Sequence, residues 1–277
     1  MGETKQRTYP EGVTCWVDTD QPDVDAAREF YGGLLGWSFT EAMPPGAPSR
    51  YVIAQRDGRD AAAIAGPTDG VARWNTYIAV DDVDGATARL AGLGAQVISP
   101  PADAGPGGRN ATLADPEGVQ LRLWQARRRL GAQIANQPGA WNFSDLHTAD
   151  PDAAGRFYSG AFGWQIADEG GATFIRVQGY GDHLEATVDP DIRTRNAKTP
   201  EGFIDVIGGM RQVEQGERPH WHVTFSIAER DESAALAQRL GGTVLGTTDT
   251  AWARVAMIQD PQGAVLTLSQ FAPPADW

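Results

Sequence analysis

All of the histidines fall in the second half of the chain, at His147, His183, His220 and His222. Alternate side chains of a β-strand point to one face, so Phe143, Asp145 and His147 project together, as do His220 and His222. A carboxylate beside an imidazole is a candidate general acid–base pair, because burial and the partner adjust either pKa. Asp145, His147 and His222 are therefore candidate catalytic residues. The alternatives are a hydrogen-bonded core position for His222 and an ordinary surface position for His147.

Aromatic residues form a second candidate set, because the chain has nine tryptophans. Six of them fall on predicted strands or at strand edges: Trp16, Trp74, Trp124, Trp141, Trp221 and Trp252. Aromatic faces stack on planar or cationic ligands, although core packing is the alternative for each residue singly. Trp37 and Trp164 follow helix-ending glycines and are expected to pack in the core.

A repeat positions these residues. Residues 22–37 recur at 149–164, with Phe-Tyr and Gly-Trp pairs at matching places, and Asp115-Pro-Glu-Gly recurs at Asp260 as Asp-Pro-Gln-Gly. A shared internal period fixes the architecture before local patterns are interpreted. The repeat predicts two related domains in tandem, over residues 10–126 and 139–272, joined by a linker at 127–138.

Each half divides again into two copies of a strand–helix–strand–strand–strand pattern. In the first half, strands are predicted at 13–20, 50–65, 74–80, 96–99, 109–114 and 119–125, and helices at 22–34 and 83–93. In the second half the pattern is expected over 140–188 and 221–270. Between these copies lies an insertion at 189–218, whose length is typical of a functional lid, a surface excursion or a subunit contact.

Composition restricts the class of protein. A chain of 277 residues with 41% hydrophobic and 21% charged content is globular, and no apolar run is long enough for a membrane span or signal core. One cysteine excludes an internal disulfide framework, so a cytoplasmic monomer or homodimer is expected. The net charge of −13 disfavours nucleic acids and anionic membranes as partners, while a cationic small molecule would be attracted.

The chain resembles the vicinal-oxygen-chelate superfamily, which includes glyoxalase I, bleomycin-resistance proteins and extradiol dioxygenases. The resemblance rests on Asp-x6-Phe-Tyr-x4-Gly, at Asp23 and Asp150, and on the two Asp-Pro-x-Gly turns. More narrowly, the chain is similar to two-domain glyoxalase-like proteins of actinobacteria. The resemblance implies an α+β fold in which four βαβββ units form two tandem half-open barrels. The first and last strands of each unit would line a cleft.

Enzymes of this family hold a divalent metal in that cleft through His or Gln on first strands and Glu on last strands. The matching positions are Trp16, Asn75 and Arg122 in the first half, and Phe143, His222, Thr267 and, on a remaining strand, Glu185 in the second. The first set cannot hold a dication, and the second offers two ligands at best, so no metal or other cofactor is expected. These residues and Asp18 become candidate ligand-binding positions. A salt bridge between Asp18 and Arg122 is expected in place of a metal, with a substrate-anion clamp as the alternative for Arg122.

The resulting hypothesis is a metal-independent protein that binds a small aromatic or cationic molecule, as resistance proteins of the sequestration type do. The alternative is a natural-product tailoring enzyme, a cyclase, isomerase or lyase, using Asp145, His147 or His222 with 189–218 as its lid. A metal-dependent glyoxalase or dioxygenase is disfavoured by the lost ligands. Fold alone does not decide among these functions, because one fold carries many chemistries.

Overall fold

The computed structural model describes residues 6–169 and 171–274, and four βαβββ repeats follow one another along the chain. Repeat 1 contains β1 (Thr14–Asp20), α1 (Val24–Leu35), β2 (Ser38–Glu41), β3 (Arg50–Arg56) and β4 (Arg59–Gly66). Repeat 2 contains β5 (Arg73–Ala79), α2 (Val83–Gly92), β6 (Gln96–Asp103), β7 (Gly108–Ala114) and β8 (Gln120–Ala126). Repeat 3 contains β9 (Trp141–Thr148), α3 (Pro151–Phe162), β10 (Gln165–Glu169), β11 (Ala172–Arg176), α4 (Tyr180–Thr187), α5 (Ile192–Arg195) and β12 (Val206–Gln212). Repeat 4 contains β13 (His220–Ser226), α6 (Arg230–Arg239), β14 (Thr243–Asp249), β15 (Ala253–Gln259) and β16 (Val265–Phe271).

The two halves of the chain form two open eight-stranded sheets with the same strand order. That order is β2-β3-β4-β1-β5-β8-β7-β6 in the first sheet and β10-β11-β12-β9-β13-β16-β15-β14 in the second. The first and last strands of a repeat pair in parallel, as β1 with β4 and β13 with β16, whereas the hairpin strands pair antiparallel. The predicted α+β architecture of two tandem glyoxalase-like halves is confirmed.

The first helix of each half begins and ends at the residues that the repeat predicted. The Asp23 carboxylate accepts from the backbone N–H groups of Asp25 and Ala26, and Asp150 does the same for Ala153. These caps satisfy amides that have no partner inside the helix. Gly36 and Gly163 end the helices with φ of 69°, a left-handed conformation that glycine adopts without strain.

The chain divides into two compact units that combine the repeats in a different way from the sheets. The 2–3 unit comprises the described residues up to Cys15 with 76–131 and 144–221. The 1–4 unit comprises 16–75, 132–143 and the described residues from His222 onward. Each unit therefore contains helices and sheet strands mainly from two repeats, and each has its own buried residues.

In the 2–3 unit, the Asp-Pro-x-Gly turn of repeat 2 is hydrogen-bonded to the Phe-Tyr segment of helix α3. The buried carboxylate of Asp115 accepts the backbone N–H groups of Glu117 and Val119 at 2.9 Å, and the Tyr158 hydroxyl at 3.1 Å. The Tyr158 ring stacks on Trp164 with centroids 5.0 Å apart. Trp164 donates its indole N–H to the carbonyl of Gly12 at 2.7 Å.

The 1–4 unit repeats this arrangement with the other copies of the motifs. Asp260 accepts from the Tyr31 hydroxyl and from Gln21 Nε2, both at 2.7 Å, and Tyr31 stacks on Trp37 at 5.9 Å. Trp37 donates to the carbonyl of Gly139. Trp37 and Trp164 are both buried, so the expectation that they pack in the core is confirmed. The two sequence motifs are spaced as they are because each Asp serves a Tyr from another repeat.

The expected strand near residues 185–186 was wrong. Residues 180–187 form helix α4, in which Tyr180 and Leu184 are buried one turn apart, so the apolar spacing is helical and does not alternate. The last strand of this repeat is β12, which lies within the predicted insertion 189–218. A Cβ on Gly208 of β12 would stand 2.3 Å from the Ser144 carbonyl oxygen, so this strand requires glycine for its close approach to the neighbouring backbone.

Candidate functional site

The non-core face of repeat 1 is occupied by a buried hydrogen-bond network. Trp16 Nε1 donates to the Tyr51 hydroxyl at 2.9 Å, and that hydroxyl donates to Asp18 Oδ2 at 3.0 Å. Asn75 Nδ2 donates to Asp18 Oδ1 at 2.9 Å. Asp18 is fully buried, while Trp16 and Asn75 are 8% and 6% exposed, so solvent has little access to this network. Three of the predicted site residues are thus brought together with Tyr51, which sequence reasoning missed.

Arg122 lies in the 2–3 unit, where it contacts an aromatic partner. Its Nη1 donates to the Tyr77 hydroxyl at 2.9 Å, and its guanidinium carbon lies 5.5 Å from the centroid of the Tyr77 ring. Trp124 packs edge-to-face on the same ring and donates to the backbone carbonyl of Arg129. This part of the sheet is therefore lined by aromatic rings and a guanidinium, and the bridge expected between Arg122 and Asp18 stays a prediction.

The metal positions of the first half do not fit a dication. Trp16 and Asn75 point N–H donors at oxygen atoms of the protein, and Arg122 carries a fixed positive charge. Divalent ions need lone pairs from imidazole, carboxylate or carbonyl groups. The chemistry of the donor set is therefore the reverse of what the family's metal requires.

In the second half, two of the family positions bond to each other. His222 Nε2 and Thr267 Oγ1 are 2.8 Å apart, on strands whose register places Thr224 beside Thr267. His222 is 5% exposed, and Phe143, at the third position, is half-buried. One imidazole with a neutral hydroxyl and a phenyl ring does not make a donor set for a dication. These three positions alone therefore do not hold the family's metal.

An exposed apolar surface surrounds the His222–Thr267 bond. Leu266 and Leu268 of β16 point to the core, so Thr267, Ser269 and Phe271 alternate to the opposite face. On β15, Met257 pairs with Thr267 and Val255 pairs with Ser269, so both share that face. Met257 is 39% exposed and Phe271 is 66% exposed. We call the surface formed by His222, Thr267, Val255, Met257 and Phe271 the open face.

A second polar cluster lies in the 2–3 unit around His147. Its Nδ1 is 2.6 Å from Glu217 Oε1, and its Nε2 accepts from Arg211 Nε at 3.1 Å. Arg211 also donates to Glu217 at 2.9 Å, and the His220 ring packs edge-to-face on His147 at 4.6 Å. A guanidinium can only donate, so Nε2 is the acceptor nitrogen, Nδ1 carries the proton, and the imidazole is neutral.

The electrostatics of this cluster agree with that tautomer. Burial, the neighbouring His220 and the Arg211 cation lower the pKa of His147 to about 4, against the opposing influence of Glu217. Partial burial works to raise the pKa of Glu217. The backbone N–H of Glu214, with His147 and Arg211, outweighs it and lowers that pKa to about 2. The pair at neutral pH is a carboxylate that orients a neutral imidazole.

Arg211 and Glu217 were missed because both lie in the segment treated as an insertion. Arg211 stands on β12 directly beside His147 in the parallel register, and Glu217 lies on the connection between β12 and β13. The available signal was the apolar run at 203–207 followed by Arg211, which is compatible with a strand that brings charges beside β9. Their separations of 64 and 70 residues from His147 gave no local pattern.

Asp145 precedes His147 on the same strand face and accepts the backbone N–H of Gly209 at 2.6 Å. Burial raises the pKa of this carboxyl, and the amide bond and the Arg211 charge offset it only in part. A Cβ on Gly209 would lie 2.8 Å from Asp145 Oδ1, so glycine allows this contact.

The structure places Glu185 away from any cleft strand. It lies on helix α4 and forms an ion pair with Arg193 at 2.8 Å, with both side chains substantially exposed. Its assignment to a strand was wrong, because a helix occupies the place where the last strand of the repeat was expected. His183, on the same helix, is half-buried and lies 2.9 Å from the hydroxyl of Thr8.

Two of the predicted aromatic positions belong to the core. Trp74 packs on Tyr31 and donates its indole N–H to the Tyr31 hydroxyl at 3.2 Å. Trp221 packs on Tyr158 and donates to its hydroxyl at 3.3 Å. Trp252 differs, because it is 43% exposed at the β14–β15 turn. Only part of the tryptophan set can therefore contact a ligand.

Comparison with known proteins places this geometry in a family. A family model described as a glyoxalase-like domain matches residues 16–124 and again 143–269. The chain is 34% identical over 276 residues to CFP32 of Mycobacterium tuberculosis, whose name assigns it provisionally to the glyoxylases, covering 97% of this chain and 98% of that one. It is 32% identical over 273 residues to the anthracycline biosynthesis protein DnrV of Streptomyces peucetius, covering 92% of each.

Solved structures show the same fold at low sequence identity. The Mn(II)-bound glyoxalase from Novosphingobium aromaticivorans superposes with a TM-score of 0.61 at 16% identity, over 95% of this chain and 85% of that one. At this identity the likeness concerns the fold alone. Across the described residues, the helices are too short or too polar to span a membrane.

Proposed function

The chain belongs to the glyoxalase-like family of the vicinal-oxygen-chelate superfamily, and from that premise we propose that it binds a small aromatic or cationic molecule without the family's metal centre. The binding surface is the open face of repeat 4. The observation that carries the proposal is the His222–Thr267 hydrogen bond, which joins two of the family's metal positions inside an exposed apolar surface.

The chemistry of the open face suits a planar ligand. Met257 supplies a polarizable thioether, Phe271 an aromatic ring and Val255 a branched apolar wall. Small-molecule sites are mostly apolar, with a few polar groups that fix orientation, and the His222–Thr267 pair provides such groups. The net charge of −13 favours a ligand that carries a positive charge.

The name of one relative suggests the ligand class. DnrV is named for anthracycline biosynthesis, and anthracyclines are polycyclic aromatic compounds. We extend to this chain the class only: a polycyclic aromatic natural product, held for sequestration or for presentation to another enzyme. Binding of this class does not require a metal, because the open face offers an aromatic ring, a thioether and hydrogen-bonding groups.

The experiment is equilibrium binding in the presence of EDTA. Two probes, a neutral anthraquinone and an aminoalkyl anthraquinone, are titrated into the protein while tryptophan fluorescence and calorimetric heat are recorded. We expect binding of both, with the cationic probe tighter at low salt. Met257→Arg should weaken binding at least about tenfold, since it places a cation on the apolar surface. The matched control is Val97→Arg, which changes a residue of similar exposure on β6.

Three outcomes oppose the proposal. Binding of neither probe in EDTA, or equal weakening by Met257→Arg and Val97→Arg, would refute an open-face site. Conversion of the probe to a product, abolished by His222→Ala while affinity is retained, would support the alternative tailoring enzyme instead. In that case Asp145, His147 and His222 would return as proton-transfer residues.

A further inference from the structure

We propose that the edge strand β14 pairs with β14 of a second copy of this chain, so that two second-half sheets join about a twofold axis. β14 is the last strand of its sheet and is hydrogen-bonded on one side to β15. Six of its seven residues are exposed, and Val244 is half-buried. The backbone N–H and C=O groups on its other side therefore face solvent, and such a row is a template for a further strand.

The three other edge strands, β2, β6 and β10, carry features that oppose such pairing. β6 contains Pro100 and Pro101, which lack N–H donors, and its register with β7 shifts twice. β2 has four residues and β10 has five, and each ends in a glutamate. Short length, proline, bulges and charge are the features by which proteins keep sheet edges from pairing. β14, by contrast, has seven residues without proline, and its one charge is Asp249 at the end.

A bulge at Leu245 decides which part of β14 can pair. The register with β15 shifts between Val244 and Gly246, so the regular stretch runs from Gly246 to Asp249. A twofold axis at Thr247 places that residue opposite its own copy in an antiparallel pair. The centre of the contact is then formed by neutral side chains and backbone, without like charges facing each other.

Antiparallel pairing about this axis also brings complementary groups together. In a twofold contact, residue i meets j and j meets i, so Leu245 lies beside Asp249 of the partner subunit and the turn that follows it. Trp252 occupies that turn, and Leu245 and Trp252 are 49% and 43% exposed, so pairing covers apolar surface at both ends. Asp249 forms ion pairs with Arg230 and Arg254 of its own chain, so it brings no uncompensated charge. A second copy is therefore the partner that fits this edge.

The contact is small and should be weak. Seven residues give an edge about 24 Å long, which buries less surface than the interface of a stable dimer. Each copy carries a net charge of −13, and salt screens the resulting repulsion between copies. Association should therefore depend on concentration and strengthen as salt is raised, which is the reverse of an interface held by ion pairs.

This surface is distinct from the open face. Pairing uses backbone groups at the edge of β14, whereas the open face uses side chains of β13, β15 and β16. Ligand binding in EDTA tests the open face, and the mass of the protein without ligand tests the β14 edge. Failure of one proposal therefore leaves the other standing.

The test is analytical ultracentrifugation of the full-length protein without ligand, over a range of concentrations at low and high salt. We expect the mass to rise with concentration from the monomer value of 29.6 kDa toward twice that value. Thr247→Asp should weaken association at least about tenfold, because it sets like charges opposite each other at the axis. Ser99→Asp is the matched control, since Ser99 is an exposed residue of the edge strand β6, and it should associate as wild type does.

A cysteine at the axis locates the contact. Thr247→Cys should give a disulfide-linked dimer under mild oxidation, because opposite residues of an antiparallel pair have Cα atoms about 4.5–5.5 Å apart. The native Cys15 is fully buried and should not cross-link, and Ser99→Cys is the matched control. Circular dichroism establishes that each variant is folded. The inference is overturned if wild type keeps the monomer mass up to about 0.5 mM, if Thr247→Asp associates as wild type does, or if Thr247→Cys cross-links no faster than Ser99→Cys.

Discussion

The non-core faces of repeat 1 and repeat 4 are built on the same strand pattern within one unit, yet one is closed and the other is open. In repeat 1, Asp18 and Ala63 are fully buried and Trp16 completes a network with Tyr51 and Asn75. In repeat 4, the equivalent strands present Met257 and Phe271 to solvent around a single His222–Thr267 bond. At the positions that correspond to the family's metal ligands, repeat 1 has a buried hydrogen-bond network and repeat 4 has an exposed apolar surface.

The difference shows two ways in which one repeated strand pattern satisfies its polar groups. In the first case a buried carboxylate, Asp18, takes its hydrogen bonds from neutral donors, Tyr51 and Asn75. Such a network is stable because buried polar groups are satisfied. In the second case an imidazole and a hydroxyl satisfy each other and leave the neighbouring apolar side chains available for a ligand. The first copy therefore contributes stability, and the second offers a binding surface.

The largest expected effect concerns the buried network of Trp16, Asp18, Tyr51 and Asn75, which we call the closed face. Trp16→Ala should lower the free energy of unfolding by about 3–5 kcal/mol, because it leaves a cavity and removes the hydrogen bond that the Tyr51 hydroxyl accepts. Phe271→Ala, on the open face, should change it by no more than about 0.5 kcal/mol. Urea unfolding followed by circular dichroism measures both. Equal losses for the two variants would show that the faces do not differ in packing.

Removal of a hydrogen-bond partner should also cost more stability on the face of repeat 1 than on the open face, but the difference should be smaller than for the packing variants. Asp18→Ala removes the acceptor of two buried donors and should cost about 2–3 kcal/mol. Thr267→Val removes one neutral partner of His222 and should cost about 1 kcal/mol. The same urea titration ranks them. If the order is reversed, the open face contributes more to stability than its exposure indicates.

Restoring ligands should have opposite consequences in the two copies. Phe143→His with Thr267→Glu rebuilds a donor set of two imidazoles and a carboxylate with His222, and should create Mn²⁺ binding, measured by electron paramagnetic resonance. The background is His147→Gln, so that this imidazole cannot contribute to binding of the ion. Trp16→His with Asn75→His should instead destabilise the chain without binding Mn²⁺. Mn²⁺ binding by the Trp16→His, Asn75→His variant, or no Mn²⁺ binding by the Phe143→His, Thr267→Glu variant, would contradict this contrast.

The smallest effect concerns the turn motif of the 2–3 unit. Burial raises the pKa of Asp115, and its hydrogen bonds with Val119, Tyr158 and Glu117 offset this only in part. A carboxyl whose pKa is raised on folding stabilises the fold at low pH, and that contribution is lost as the pH rises through the folded pKa. The melting temperature of Asp115→Asn, relative to that of the wild type, should therefore increase as the pH rises above about 4. If the melting temperatures of the two proteins change with pH in parallel, burial does not raise the pKa of Asp115.

Much of the fold could be predicted from the sequence because its signals are local and repeated. Asp23, Asp150, Gly36 and Gly163 mark helix ends through caps and left-handed turns that depend on a few neighbouring residues. The last strand of repeat 3 could not be placed, because residues 180–187 form a helix and β12 comes later in the chain. Its glycines make sense only beside the Ser144 carbonyl and the Asp145 carboxylate.

The sequence by itself determined the four-fold repetition, the strand faces of Asp145, His147 and His222, and, through the resemblance, which residues stand at the family's metal positions. These follow from residue type and from the period of two along a strand. Only the tertiary structure decided which face is filled and which is open, and that His147 meets Arg211 and Glu217. Burial and partner choice depend on residues distant in the sequence, and chain folding alone sets which of them come within hydrogen-bond distance.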